Sequence, residues 1–149
     1  MRVDNRQFNR SYEEIETLEA GIVLNGGEVK SVKAGNIRLE KAYVKIVDGE
    51  AYLMNAEVAA YQFTRAQDHE VNRKRKLLLH KKELLRLNTK LKSAGNLTII
   101  PLACYNKGRH IKLQIALARG RSDLKKKKLV KARDIKINQK REMKEYLKK

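Results

Sequence analysis

The side chains able to do acid–base or metal chemistry are few in this sequence, and their spacing does not assemble them. The three histidines are His69, His80 and His110, and their intervals do not match the close Cys or His pairs that hold zinc. Cys104 is the one cysteine. It lies in an apolar run, where a thiol packs as a small hydrophobe and stays protonated instead of acting as a nucleophile. Asp68-His69-Glu70 joins acid and base in sequence, but neighbouring residues in a loop diverge, so a proton relay is not expected from them. Gly26-Gly27 and Gly120 lack the spacing of a phosphate-cradling loop. The sequence therefore argues against an enzyme and against any metal or other cofactor.

The cations are a different matter. Lys and Arg number 35 against 17 Asp and Glu, a formal net charge of +18. Self-repulsion of that size opposes compaction unless a polyanion offsets it. Nucleic acid is the usual polyanion, because each neutralised phosphate releases condensed counterions. An anionic membrane surface would also suit a basic chain, so the position of the charge decides. Arg73-Lys74-Arg75-Lys76 runs into an apolar strand, and Arg119-Gly120-Arg121 closes the last strand, so both place cations at the rim of a fold. A third concentration follows: residues 121–149 hold 13 Lys or Arg against four acids. Two rims and a tail point to RNA or DNA. RNA is preferred, since no helix of the kind that enters the major groove is evident. The absence of tryptophan limits base stacking as a main source of affinity.

The elements that would hold these residues can be read from periodicity. Residues 17–24 form an apolar run suited to a core strand, with a bulge or bend near Gly21. Asn25-Gly26-Gly27 breaks the run. Residues 28–34 then predict a short helix closed by Gly35, with Val29 and Val32 inward and its acid ahead of its lysines. Asp48-Gly49 between two strand-like runs at 42–47 and 51–54 is a strong hairpin signal. Residues 61–76 read as a polar, increasingly basic loop. Residues 81–93 carry a helical pattern with Leu84, Leu87 and Leu91 on one face and Gly95 as the stop. Runs at 97–105 and 111–118, joined at Asn106-Lys107-Gly108, predict a second hairpin. Pro101 within the first of them calls for an edge position or a bulge.

These elements imply a β-rich α+β domain, a small OB-like antiparallel β-barrel with flanking helices, over residues 1–120. Residues 121–149 would form a basic tail whose sparse apolar residues cannot offset ordering entropy, disordered alone and helical on a polyanion. No run approaches the ~18 apolar residues of a membrane span. The polar N-terminus lacks the apolar centre of a secretory signal, and a single cysteine suits a reducing compartment, so a cytoplasmic protein is expected.

Particular strings now match a known family. Glu19-Ala20-Gly21-Ile22-Val23-Leu24, with Gly27-Glu28-Val29-Lys30-Ser31 and Ala34-Gly35, resembles the first signature of small protein B, the tmRNA-binding family of bacterial ribosome rescue. Arg75-Lys76-Leu77-Leu78-Leu79-His80-Lys81-Lys82-Glu83-Leu84 resembles its second, and Ala118-Arg119-Gly120-Arg121 its third. The resemblance spans residues 5 to 121. It implies binding to the tRNA-like domain of tmRNA, delivery to stalled ribosomes with elongation factor Tu, and action as a monomer. The tail would probe the empty mRNA channel at the decoding centre of the small subunit.

Carried over by position, the resemblance implies RNA contacts at Asn5, Glu19, Leu78 and Lys112, with Lys76 and Arg119 as further candidates. In the tail it implies ribosome contacts at Arg121, Lys125, Lys126, Lys127 and Lys128. Two departures stand out. The family's His-Asp-Pro is His69-Glu70-Val71 here. After the third signature, where the family has an aromatic residue or histidine and then Asp-Lys-Arg, this chain has Leu124 and Lys125-Lys126-Lys127. The competing expectation, from charge and fold class alone, is a general single-stranded RNA-binding or small ribosomal protein.

Overall fold

Two tight turns set the registers of this protein, for which a computed structural model describes residues 1–63, 65 and 69–121. Asp48 and Gly49 both take left-handed backbone angles, φ 52° and 75°. That matches the twist of the strands they join, β4 (Tyr43–Val47) and β5 (Glu50–Met54). The second turn lies slightly later than its composition suggests. The ladder runs on to the pair Lys107 and His110, so Gly108-Arg109 makes the turn, with Gly108 at φ 61°. It joins β8 (Leu97–Lys107) to β9 (His110–Gly120).

Of the remaining strands, β1 (Arg2–Asp4), β2 (Tyr12–Ile22) and β7 (Arg75–Leu78) join these four in one sheet. Its order is β1-β8-β4-β5-β7-β2-β9, and β8 also pairs with β9. A two-residue pair, β3 (Ile37–Arg38) and β6 (Glu57–Val58), stands apart. Every pairing is antiparallel. The result is a mostly antiparallel sheet with a few helices.

The bulge expected near Gly21 sits elsewhere. The register of β2 against β9 shifts between Glu14 and Glu16, while Gly21 keeps its place opposite Lys112. Gly21 is needed for a close approach instead: a Cβ there would lie 3.2 Å from the Leu78 Cβ. In β8 the shift falls between Pro101 and Ala103, where the missing proline N–H is tolerated.

Three helices complete the chain. α1 (Phe8–Ser11) is a single turn. It presses Phe8 onto a small cluster with Ile100, Ala116 and Ala118, whose two alanines leave room for the ring. α2 (Gly26–Lys33) starts two residues before the expected point, because Asn25 caps it: its side chain accepts from the Glu28 N–H, and the Glu28 carboxylate accepts from the Asn25 N–H. Gly35, at φ 84°, closes it through Gly35 N–H to Val32 O and Asn36 N–H to Ser31 O. α3 (Lys81–Ser93) buries Leu87 fully and packs Leu84 and Leu91 against the main core. It ends without the glycine stop expected of it: Ala94 turns extended at φ −136° and Gly95 does not enter the left-handed region. That main core gathers Leu53, Leu77, Ile99, Leu113, Ile115 and Leu117 from the inward positions of the sheet. Cys104 is wholly buried, and burial pushes its thiol up to about 12. Among the described residues no helix is long and apolar enough to cross a membrane.

One basic run has to be corrected. Of Arg73-Lys74-Arg75-Lys76, the two arginines are turned toward a buried carboxylate and do not form a cationic rim. Arg75 is 0% exposed and Glu28 1%. Arg75 Nε donates to Glu28 Oε2 at 2.7 Å, and Arg73 takes the other oxygen. Arg75 Nη2 lies 2.6 Å from the same Glu28 Oε2, and Nη1 and Nη2 also donate to carbonyls of Ala56, Arg73 and Val71 at 2.9 to 3.1 Å. His69 Nε2 donates to Val58 O at 2.8 Å. These bonds, all to backbone except Glu28, fasten both ends of the connection between β6 and β7.

Candidate nucleic-acid interface

Direct cross-strand partners share a face of a sheet, so the registers identify one outward row. Arg2 pairs with Tyr105, Tyr105 with Lys112, Lys112 with Gly21, and Gly21 with Leu78. The row crosses five strands, β1, β8, β9, β2 and β7, at steps of ~4.8 Å. It reads cation, aromatic, cation, bare backbone, aliphatic. Leu78 is 55% exposed while its neighbour Leu77 is buried, so Leu78 faces out and is not a core residue. A shallow cavity of about 210 Å³ opens beside the row. Its apolar lining comes from Ile22, Leu24, Val29 and Leu78, and its charged rim from Arg109 and Lys112. Aliphatic floor and cationic edge suit a base with its phosphate.

Glu19 stands next to this row on β2, opposite Gln114. Both of its carboxylate oxygens are occupied, one by the Tyr105 hydroxyl and the other by Lys107 Nζ at 3.4 Å. The Tyr105 bond, with Lys107 and Lys112 behind it, holds the Glu19 carboxyl below its ordinary value. Desolvation and the same bond push the Tyr105 phenol up to about 12. Arg2 lies over the Tyr105 ring, 5.5 Å from its centre.

The remaining expected residues divide. Asn5 is 8% exposed, and its amide donates to Leu39 O at 3.2 Å and Pro101 O at 2.9 Å while accepting from the Gln7 N–H. Its side chain thus fastens the joint between β1 and α1. Lys76 faces out on β7, where it pairs in register with Tyr52 and forms an ion pair with Glu50 at 3.1 Å. Tyr52 donates to the same Glu50 at 2.8 Å, and Lys74 lies 4.1 Å above its ring. Glu50, Tyr52 and Lys76 therefore repeat the construction of Glu19, Tyr105 and Lys107. Arg119 pairs with Glu13 and Leu97 at the far end of β9, roughly 24 Å along the strand from Lys112 at ~3.4 Å per residue. The structure does not bring it to the row. Arg121 is tied to α1 and the first residue of β2, its N–H to Ser11 O and its Nε to the carbonyls of Asn9 and Tyr12. Lys125, Lys126, Lys127 and Lys128 lie outside the described residues.

Tyr105, Arg2 and Lys107 escaped the sequence reading. The available signal was the hairpin: once Gly108-Arg109 is taken as the turn, Tyr105 falls opposite Lys112 and must share its face.

Known proteins match this chain over most of its length. A family model described as SmpB protein matches residues 2–145. An SsrA-binding protein of Persephonella marina is 45% identical over 132 residues, covering 89% of this chain and 86% of that protein. One of Protochlamydia amoebophila is 40% identical over 146 residues, covering 98% and 92%. A solved structure described as "tmRNA-SmpB: a journey to the center of the bacterial ribosome" superposes with a TM-score of 0.67 at 41% identity, covering 82% of this chain and 85% of that one. With the match running through nearly all of its length, the chain belongs to the SmpB protein family.

Proposed function

We propose that this protein is the tmRNA-binding component of trans-translation, recognising the tRNA-like domain of tmRNA and delivering it to stalled ribosomes. The observation that carries this reading is the row Arg2–Tyr105–Lys112–Gly21–Leu78, which sets two cations, an aromatic ring and an exposed aliphatic side chain on adjoining strands of a chain whose relatives are described as SsrA-binding proteins. Lys112 and Leu78 touch RNA directly, and Asn5 places β1. Lys76, two residues from Leu78 on the same outward face of β7, and Arg119, at the far end of β9, serve as outlying phosphate contacts. The six strands β8-β4-β5-β7-β2-β9, whose two ends pair with each other, form an OB-like barrel over residues 1–120.

Residues 121–149 act as a second unit that enters the empty mRNA channel at the decoding centre, with Arg121 as its anchored base and Lys125 to Lys128 on ribosomal RNA. The protein works as a monomer in the cytoplasm and reaches the ribosome with elongation factor Tu through charged tmRNA. It leaves catalysis to the ribosome.

Binding of the tRNA-like half of tmRNA, measured beside an ordinary tRNA of equal length, tests the reading. A clear preference for tmRNA is expected. Lys112→Ala should weaken binding about fivefold or more and reduce the salt slope by about 1. Equal and steeply salt-dependent affinity for both RNAs would reduce the protein to a nonspecific cation.

A further inference from the structure

A carboxylate on a surface that meets a polyanion demands an explanation. Left free, Glu19 would repel phosphate. It is not free: Tyr105 holds one oxygen and Lys107 the other. The bond to Tyr105 also crosses a whole strand, because Glu19 is on β2, Tyr105 on β8, and β9 runs between them. Glu50 clamps Tyr52 in the same way, with Lys76 on its second oxygen. A glutamate bridging a tyrosine hydroxyl and a lysine is thus a means this fold uses twice to fix an outward ring.

We propose that Tyr105 is an RNA-contacting residue, its ring meeting an unstacked base between Arg2 and Lys112, and that Glu19 is a positioning residue that fixes this ring. The proposal rests on the RNA-binding reading above and assigns the roles within it. Aromatic platforms bind bases of any identity, because every base has a π face. Arg2, over one face of the ring, and Lys112, opposite Tyr105 on β9, supply the phosphate contacts that fix register, and the other face is left for the base. A tyrosine that swings freely would lose rotamer freedom on binding, and a ring already tethered by its hydroxyl does not. The raised phenol and lowered carboxyl values agree with a tyrosine that donates and a glutamate that stays charged.

A double-mutant cycle on the full chain reads the relation between the two residues. Tyr105→Ala is expected to weaken binding of the tRNA-like domain about tenfold or more, the usual cost of losing a stacking ring. Tyr105→Phe and Glu19→Ala should each cost about threefold, and together no more than either alone, since both remove the same tether. Glu19→Gln keeps an acceptor for the hydroxyl and should bind within about twofold of the parent. Ring protons of Tyr105 should shift upfield when RNA is added, a signature that a purely structural role would not produce. Additive losses in the cycle, or Glu19→Gln as damaging as Glu19→Ala, would make Glu19 a direct RNA ligand and overturn the assignment. Unchanged affinity in Tyr105→Ala, or unmoved ring signals, would overturn the role of Tyr105. If the parent binds ordinary tRNA equally well, the identity of the RNA is wrong, yet the cycle run on that tRNA still reads the coupling.

Discussion

Replacing Glu28 by alanine is expected to lower the unfolding free energy by about 3–5 kcal/mol, the loss typical of removing one partner from a buried ion pair. Arg75 would remain fully buried with its charge unanswered, because its other donors reach only neutral carbonyls. The same substitution strips the reciprocal cap from the start of α2. A domain of this size has a total stability of roughly 5–15 kcal/mol, so the variant should melt far earlier in urea or on heating. Replacing Glu28 and Arg75 together by apolar residues of similar size should recover part of the loss, since the uncompensated charge goes with them.

Acid should act on the same group. Burial works to raise the Glu28 carboxyl, but the bonds from Arg73, the Asn25 N–H and Arg75 outweigh it and hold the group below its ordinary value of 4.5. A depressed carboxylate contributes stability that is fully present above the ordinary value and lost as pH falls through the lower folded one. The parent should therefore lose melting temperature progressively as pH falls below 4.5, and Glu28→Gln, already weakened, should show a shallower acid limb. Parallel acid limbs would remove Glu28 from the explanation.

Ending the chain at Arg121 is expected to separate two functions. Binding to the tRNA-like domain should persist, because the row and its supports lie between Arg2 and Lys112, and Arg121 stays fastened to α1 by its own bonds. The removed residues carry twelve Lys and Arg against four acids, so the salt dependence of binding should become shallower. Peptide tagging on stalled ribosomes should fall to background, since the segment proposed to enter the mRNA channel is removed. A truncated chain that no longer selects tmRNA would place recognition in the tail. A truncated chain that still tags would leave the tail no role on the ribosome.

Local signals carried much of this architecture. Asp48-Gly49 specified its hairpin because two adjacent left-handed residues suit few other turns, and Leu84, Leu87 and Leu91 specified the buried side of α3 by spacing alone. Gly21 misled, because a glycine in a strand reads the same whether it relieves a bulge or admits a neighbour such as Leu78. Arg75 misled for a deeper reason. A run of four cations looks solvated until the carboxylate that draws two of them inward is known, and Glu28 lies 47 residues away. The candidate row was half legible. Glu19, Leu78 and Lys112 came from resemblance, whereas Tyr105 required the register of a hairpin whose turn sits two residues beyond Asn106.

Cys104 gives the protein a built-in clock. The thiol lies on β8 between Val3 of β1 and Leu113 of β9, and its raised pKa leaves almost no thiolate near neutrality. A thiol-reactive dye can therefore modify the native protein only when these strands part. With reclosing faster than labelling, the modification rate measures the free energy of that opening. Because it is the one cysteine in the chain, all dye uptake reports the open population of the hairpin that carries Tyr105 and Lys112. Slower uptake when RNA is present would show how firmly the bound strand pins its own platform shut.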